Sequence, residues 1–425
     1  MISPALAHLL LPLILVAGIL LMLIRPRNIP EAYWVGGGAL LLVLLRLVPL
    51  RLAGRAVAEG TDVYLFLIGM MLLSALAREH GVFDWLSSVA VRCANGSCSR
   101  LFTLVYAVGT VVTIFMSNDA TAVVLTPAIL TSVRKAKVEP LPYLFVCALI
   151  ANAASFVLPI SNPANLVVFH NGMPPLGQWL ASFAVPSVLS IAVTYIVMRV
   201  IFRKELRAAI ECEVEATPLR GNGKLVLAGL ALMVLVLLTA SSLKKDLGLP
   251  TCLAALTITA AVSIKARRNP VKFTREISWG TIVLVAGLFV MVDAVESIGA
   301  LKLTQTWLEW AQNLAPATGT LITGFAVGIG NNLINNLPLG LIAGATLQAT
   351  HAKGLIATAV LIGVDLGPNL SVTGSLATIL WLLALHKEKL EVSFWRFLKV
   401  GAVAMPIALL LSIGGAIVMQ MLFRH

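Results

Sequence analysis

Each half of this chain interrupts its apolar sequence twice with polar runs, in the same order. Ser117-Asn118-Asp119-Ala120-Thr121 breaks one apolar stretch, and Asn331-Asn332-Leu333-Ile334-Asn335-Asn336-Leu337-Pro338 breaks another. Sliding the chain against itself by 218 residues places Gly69 on Gly287, Gly81 on Gly299 and Asn118 on Asn336 without a gap. A shift of 213 places Asn152 on Asp365, Ser155 on Pro368 and Asn162 on Ser375. In hydrocarbon, unsatisfied backbone is too costly unless it lines a protein-enclosed polar cavity. Paired broken helices at matching places in two halves point to a transporter's binding site.

Composition places these breaks in a membrane. Hydrophobic residues are 59% of the chain and charged ones 12%, with a mean hydropathy of +0.95. Ordinary soluble domains do not have this balance. Several apolar stretches approach the length of about 20 residues that a helix needs to cross a bilayer. The first of them lacks a charged start and a small-residue cleavage site, so it reads as a retained helix, not a signal peptide.

The repeat allows the elements to be counted. The first half is expected to form helices over about 5–24, 31–50, 60–79, 101–133, 141–171 and 178–203, the second over about 224–243, 247–265, 278–297, 318–350, 354–386 and 394–421. Within 101–133, Leu101–Met116 is 16 residues, or about 24 Å of helix, short of a hydrocarbon core of about 30 Å. That segment and 318–350 are therefore expected to be re-entrant hairpins. Each half then crosses five times, and an odd number inverts one half relative to the other. The expected fold is an all-α polytopic membrane protein with two inverted-topology repeats, about ten transmembrane helices, two of them discontinuous, and two re-entrant hairpins. The repeats are 1–203 and 224–425, joined by a cytoplasmic linker over 204–223. Short amphipathic pieces, Phe83–Val91 and Leu303–Ala311, precede the hairpins; their Trp85, Trp307 and Trp310 read as interfacial anchors.

Charge tests the count. On one side of the membrane, the loops around 25–30, 78–100, 134–140, 199–224, 265–275 and 387–399 hold 23 of the 31 Lys and Arg residues. Such an excess marks the cytoplasmic side and puts both termini outside. The net charge of +12 is thus a topology signal and not a nucleic-acid patch. Cys93, Cys98, Cys147, Cys212 and Cys252 make no paired framework, and no His pair has metal-ligand spacing. An enzyme would need a nucleophile with its base, a metal set or a carboxylate dyad; no such constellation is present, and no cofactor motif either.

The candidate chemistry lies at the breaks. Asn118 and Asp119 at one hairpin tip correspond to Asn335 and Asn336 at the other. Freed backbone groups, helix-dipole ends and amides could cradle a small polar solute there; capping of helix ends is the competing reading. Pro159-Ile160-Ser161-Asn162-Pro163 breaks one helix, and the run from Gly367-Pro368 to Thr373-Gly374-Ser375 breaks its counterpart. Proline removes a donor and disrupts the preceding turn, leaving carbonyls to join Ser161, Asn162, Thr373 and Ser375 as ligands. A plain kink satisfied by neighbouring helices is the alternative. Asp119 and Asp365 lie beside breaks and are the proton-coupling candidates. Asp293, mid-helix and matched by Ala75, ranks below them.

Ser117-Asn118-Asp119-Ala120-Thr121-Ala122-Val123-Val124-Leu125-Thr126-Pro127 resembles the first-hairpin motif of the ion transporter superfamily. Asp365-Leu366-Gly367-Pro368, with Thr373-Gly374-Ser375 and the run that follows to Trp381, resembles the arsenical pump membrane protein family, as do Asn335-Asn336-Leu337-Pro338 and Ser161-Asn162. The likeness spans about residues 60–420. It implies an inner-membrane carrier of bacteria that expels arsenite or antimonite, acting as a proton antiporter or joined to a cytoplasmic ATPase subunit. The site it implies is Asn118, Asp119, Ser161, Asn162, Asn336, Asp365, Thr373 and Ser375. Relatives often have Asp where this chain has Asn152, which leaves Asp365 without a matching acid. A sodium- or proton-coupled carrier of carboxylates or other anions is the rival on the same scaffold. No Lys or Arg stands at a break to hold such an anion, and no phosphate-binding loop is present for ATP.

Overall fold

The structure is a computed structural model that describes residues 4–170, 172–208, 210, 218–219, 221–267, 269–299 and 301–422. Most of the acidic part of the linker, including Glu211, Cys212, Glu213 and Glu215, lies outside the described residues. The described chain is all-helical, without a strand.

The first half runs α1 (Pro4–Ile24), α2 (Glu31–Leu44), α3 (Leu50–Glu59), α4 (Thr61–Glu79), α5 (Val82–Cys93), α6 (Cys98–Phe115), α7 (Thr126–Lys135), α8 (Leu141–Ala153), α9 (Pro163–Val168) and α10 (Leu176–Ile201). The second runs α11 (Gly221–Ser242), α12 (Gly248–Ala266), α13 (Val271–Thr274), α14 (Trp279–Ser297), α15 (Leu301–Gln312), α16 (Pro316–Ile334), α17 (Asn336–Ala349), α18 (Leu355–Leu366), α19 (Leu376–Lys387) and α20 (Phe394–Leu422). Among the described residues, α4, α6, α10, α11, α12, α14 and α20 are long and apolar enough to cross a membrane; α6 begins at Cys98 and has 18 residues, so the shortness expected of Leu101–Met116 does not hold and does not mark a re-entrant arm. Their outward faces are apolar too: Val188, Ile196 and Leu235 are 64%, 57% and 62% exposed. Helices apolar on every side belong in lipid or a core.

Helices α8, α18 and α19 have 13, 12 and 12 residues, and at 1.5 Å per residue none spans about 30 Å alone. They are parts of two interrupted helices. In the first, α8 gives way to a 3-10 turn at Pro159–Ser161 before α9; in the second, 3-10 turns at Gly367–Asn369 and Val372–Gly374 separate α18 from α19.

The residues that the 218-residue shift superposes do the same jobs. Gly81 and Gly299 have φ of +70° and +71°, a left-handed conformation that glycine adopts without penalty, and each turns a transmembrane helix into an amphipathic one. Gly69 lets α4 meet the backbone of Thr251 on α12; Gly287 lets α14 meet the backbone of Val35 on α2. A Cβ at these positions would come within 2.9 Å and 3.1 Å of the facing carbonyl oxygens. The third helix of each half thus packs on the second helix of the other.

One stretch differs from the sequence expectation. The helix expected over 31–50 stops at Leu44, and a separate helix, α3, follows from Leu50. Arg46 is left-handed, at φ +56°, and Pro49 sits ahead of the new helix, where its fixed φ suits a start. Arg51 and Arg55 sit on the exposed side of this amphipathic helix, whose Ala53 and Ala56 are buried.

Candidate solute-binding site at the four helix breaks

The two hairpins turn at equivalent residues. Ser117 has φ +146° and Asn335 φ +74°, and both lie one residue before the matched pair Asn118 and Asn336. These same residues cap the returning arms. Ser117 Oγ accepts from Ala120 N at 3.3 Å, and Asn335 Oδ1 accepts from Leu337 N at 3.4 Å. Capping at the tips is therefore done by Ser117 and Asn335. Asn118 and Asn336 are both 3% exposed, and the Oδ1 of each has no partner among the described residues. A buried amide oxygen without a donor is costly in a packed interior, so these two are the groups at the tips still available to a ligand.

The interrupted helices divide their polar residues in the same way. Ser161 Oγ donates to Ile114 O at 2.9 Å and accepts from Leu158 N at 3.2 Å. Asn165 Nδ2 donates to Ser155 O and Leu158 O. Ser375 Oγ caps α19 by accepting from Thr378 N at 3.1 Å. Thr373 Oγ1 donates to Asn332 O at 3.1 Å, and Asn335 Nδ2 donates to Thr373 O at 3.2 Å. Ser161 and Thr373 thus stitch the breaks to the hairpins, and Ser375 caps the helix that resumes after its break.

Asn162 faces the other way. Its Oδ1 caps α9 by accepting from Ala164 N at 3.0 Å, and its Nδ2 donates to Asp365 Oδ1 at 2.8 Å in the other half. Asp365 is fully buried, and its Oδ2 has no partner among the described residues. A second crossing lies beside it: Asn152 Nδ2 donates to Asn369 Oδ1 at 2.9 Å, and Asn369 Nδ2 donates to Leu149 O at 3.0 Å. Asn152 thus forms an amide bridge between the breaks.

A chamber of about 20 Å³ lies at the meeting point, lined by Asn118, Asp119, Asn162 and Asn336 together with Thr281 and apolar side chains. Four of the eight residues expected at the site converge there. Asp365 stands behind Asn162, while Ser161, Thr373 and Ser375 do not line the chamber. Neither does Asp293, half-buried on α14. A space of this size admits about one water-sized body, so a larger solute requires the tips to part. Leu67, Asp119, Pro163, Thr281 and Leu376 also line a vestibule of about 370 Å³. It runs out to Arg25, Glu31, Arg78 and Glu276, on the side of the chain rich in Lys and Arg. Arg25 pairs with Glu31, and Arg78 with Glu276. Inside that mouth no described Lys, Arg, His or Cys lines either cavity. Thr281 gave no signal in the sequence, because it lies in the first turn of an unbroken apolar helix.

A family model described as Citrate transporter matches residues 9–364. The arsenical pump membrane protein of Yersinia enterocolitica is 26% identical over 349 residues, covering 79% of this chain and 81% of that protein. The putative arsenical pump membrane protein of Bacillus subtilis is 24% identical over 417 residues, covering 92% and 94%. Among solved structures, the YdaH transporter of Alcanivorax borkumensis superposes with a TM-score of 0.58 at 14% identity, covering 89% of this chain and 88% of that one. At that identity the likeness is one of fold.

Proposed function

We propose that this chain, which belongs to the citrate transporter family, is a secondary carrier that expels arsenite or antimonite across the bacterial inner membrane. The observation that carries this reading is the chemistry of the chamber: three amides, one carboxyl and a hydroxyl, with no fixed positive charge. Arsenite at neutral pH is mainly As(OH)₃, small, neutral and rich in hydroxyls. Amide oxygens of Asn118 and Asn336 accept from such hydroxyls, and Asp119 accepts a further one. No sulfur takes part, which favours release over tight capture. The names of the relatives from Yersinia and Bacillus support the same solute.

The carrier works by alternating access between two inverted halves. The matched turns at Ser117 and Asn335, the matched glycines and the reciprocal packing of α4 on α12 and α14 on α2 support that reading. The vestibule is the cytoplasmic entrance, as the excess of basic residues around it supports. Solute enters there, the tips part, and the halves rock to open the other side. Protons from outside then load Asp365, at its unpartnered Oδ2, and Asp119, favouring return of the unloaded site. A cytoplasmic ATPase subunit is the alternative source of energy.

The test is a resistance assay. The chain is expressed in arsenite-sensitive bacteria, with and without an ATPase subunit, and intracellular arsenic is measured. Accumulation should fall; unchanged accumulation in both strains removes the assignment. The family's description favours a second reading, a sodium- or proton-coupled carrier of carboxylates. Against it stands Asp119, which would repel a carboxylate in a chamber without a cation. Sodium-dependent citrate uptake into vesicles would establish that reading instead.

A further inference from the structure

A third cavity, of about 180 Å³, lies between α15 and the two arms of the second hairpin, apart from the solute chamber and its vestibule. Trp307 and Leu308 of α15, Val327 of α16, and Leu339, Ile342 and Ala343 of α17 wall it. Three hydroxyls also reach it. Thr304 Oγ1 and Thr346 Oγ1 are engaged with each other at 2.8 Å. Thr323 lines the cavity fully buried, and its Oγ1 has no partner among the described residues.

The volume is roughly six times the ~30 Å³ share of a water molecule. A buried water needs two to four polar partners, and this lining offers one uncommitted hydroxyl. The wall is made for hydrocarbon. Its surroundings supply hydrocarbon as well. Ala326 lines the cavity and is itself exposed; on the same helix, Ile329 and Leu333 are 51% and 69% exposed, and Leu303, beside Thr304, is 79% exposed. In a membrane-spanning chain, apolar side chains exposed in this way face acyl tails. An apolar hollow open to acyl tails gains dispersion contacts along its whole lining when one enters.

We infer that the cavity between α15 and the second hairpin binds one acyl chain of a membrane phospholipid. The Thr323 hydroxyl gives it a single hydrogen-bond donor, which suits the ester carbonyl at the head of such a chain. The hairpin that forms two of its walls carries Asn335 and Asn336 at its tip, so the lipid bears directly on an arm that ends at the solute chamber.

The test uses the full chain, reconstituted with a phosphatidylcholine that carries a photoactivatable diazirine on one acyl chain, followed by peptide mapping of the adducts. Adducts are expected inside the cavity, on Val327, Leu339 or Ala343, as well as on lipid-facing residues such as Leu333. In Ala343→Phe, which fills the cavity, and in Ala326→Leu, which narrows its mouth, the inner adducts should fall to background while those at Leu333 persist. Adducts confined to lipid-facing residues overturn the inference. So do inner adducts that neither variant reduces.

Discussion

Asn162 Nδ2 donates to Asp365 Oδ1 at 2.8 Å, joining the break in one half of the chain to the break in the other. One residue therefore faces the solute chamber with its body and holds a sealed carboxyl with its amide. A proton on Asp365 changes what Asn162 is bonded to, and Asn162 lines the chamber. Asp365→Asn keeps an acceptor for Asn162 and removes the charge that protons can titrate. The variant should fold and insert as the parent does, and arsenic extrusion from vesicles should no longer respond to an imposed proton gradient. An unaltered response would remove Asp365 from the coupling.

The tip asparagines should separate by role. Asn118 and Asn336 leave their Oδ1 atoms unpartnered, so Asn118→Ala and Asn336→Ala should fold normally and each weaken solute binding. Loss of one hydrogen bond, about 1 kcal/mol, corresponds to roughly a fivefold higher apparent KM. Asn335 instead caps α17 at φ +74°. Asn335→Ala loses a cap worth about 1 kcal/mol and places alanine in a left-handed conformation that costs about as much again. It should lower thermal stability, and Asn335→Gly should recover most of the loss. Equal KM effects from all three alanine variants, with stability unchanged, would contradict this division.

Arg78, at the end of α4, pairs with Glu276, just before α14, across the mouth of the vestibule. Both side chains are about half exposed, so the pair should add less than about 1 kcal/mol to stability, and Arg78→Ala should leave the melting temperature nearly unchanged. If the halves move apart and together here, Arg78→Cys combined with Glu276→Cys should arrest extrusion under oxidising cross-linking, and reductant should restore it. Full transport by a verifiably cross-linked protein would exclude movement at this mouth.

Periodicity and breakage made the fold legible. The helix pairs and both interrupted helices follow from apolar length and from where Asn, Pro and Gly fall. Which polar residue at a break lines the chamber was not legible, because it depends on the handedness of a single turn. Ser117 and Asn335 take positive φ and with it the cap, which frees their neighbours; residue type alone did not distinguish Asn335 from Asn336. Ser161, Thr373 and Ser375 have the right chemistry for ligands, yet backbone atoms of their own breaks or of the hairpins already engage them. The start of α3 lies in an amphipathic spacing, Ala53 and Ala56 inward with Arg51 and Arg55 outward, that apolar length alone does not register.

Recognition by oxygen and amide groups makes a further demand. Cys98 and Cys147 are buried, Cys93 is exposed, and among the described residues no cysteine lines the chamber or the vestibule. A variant with Cys93, Cys98, Cys147, Cys212 and Cys252 all changed to Ala should confer as much arsenite resistance as the parent once expression is matched. The replacements at Cys98 and Cys147 trim packed side chains, so a lower melting temperature is expected without a change in apparent KM. Loss of arsenite extrusion by a folded, membrane-inserted cysteine-free chain would show that a thiol captures the metalloid, and recognition by the amides of Asn118, Asn162 and Asn336 would then be abandoned.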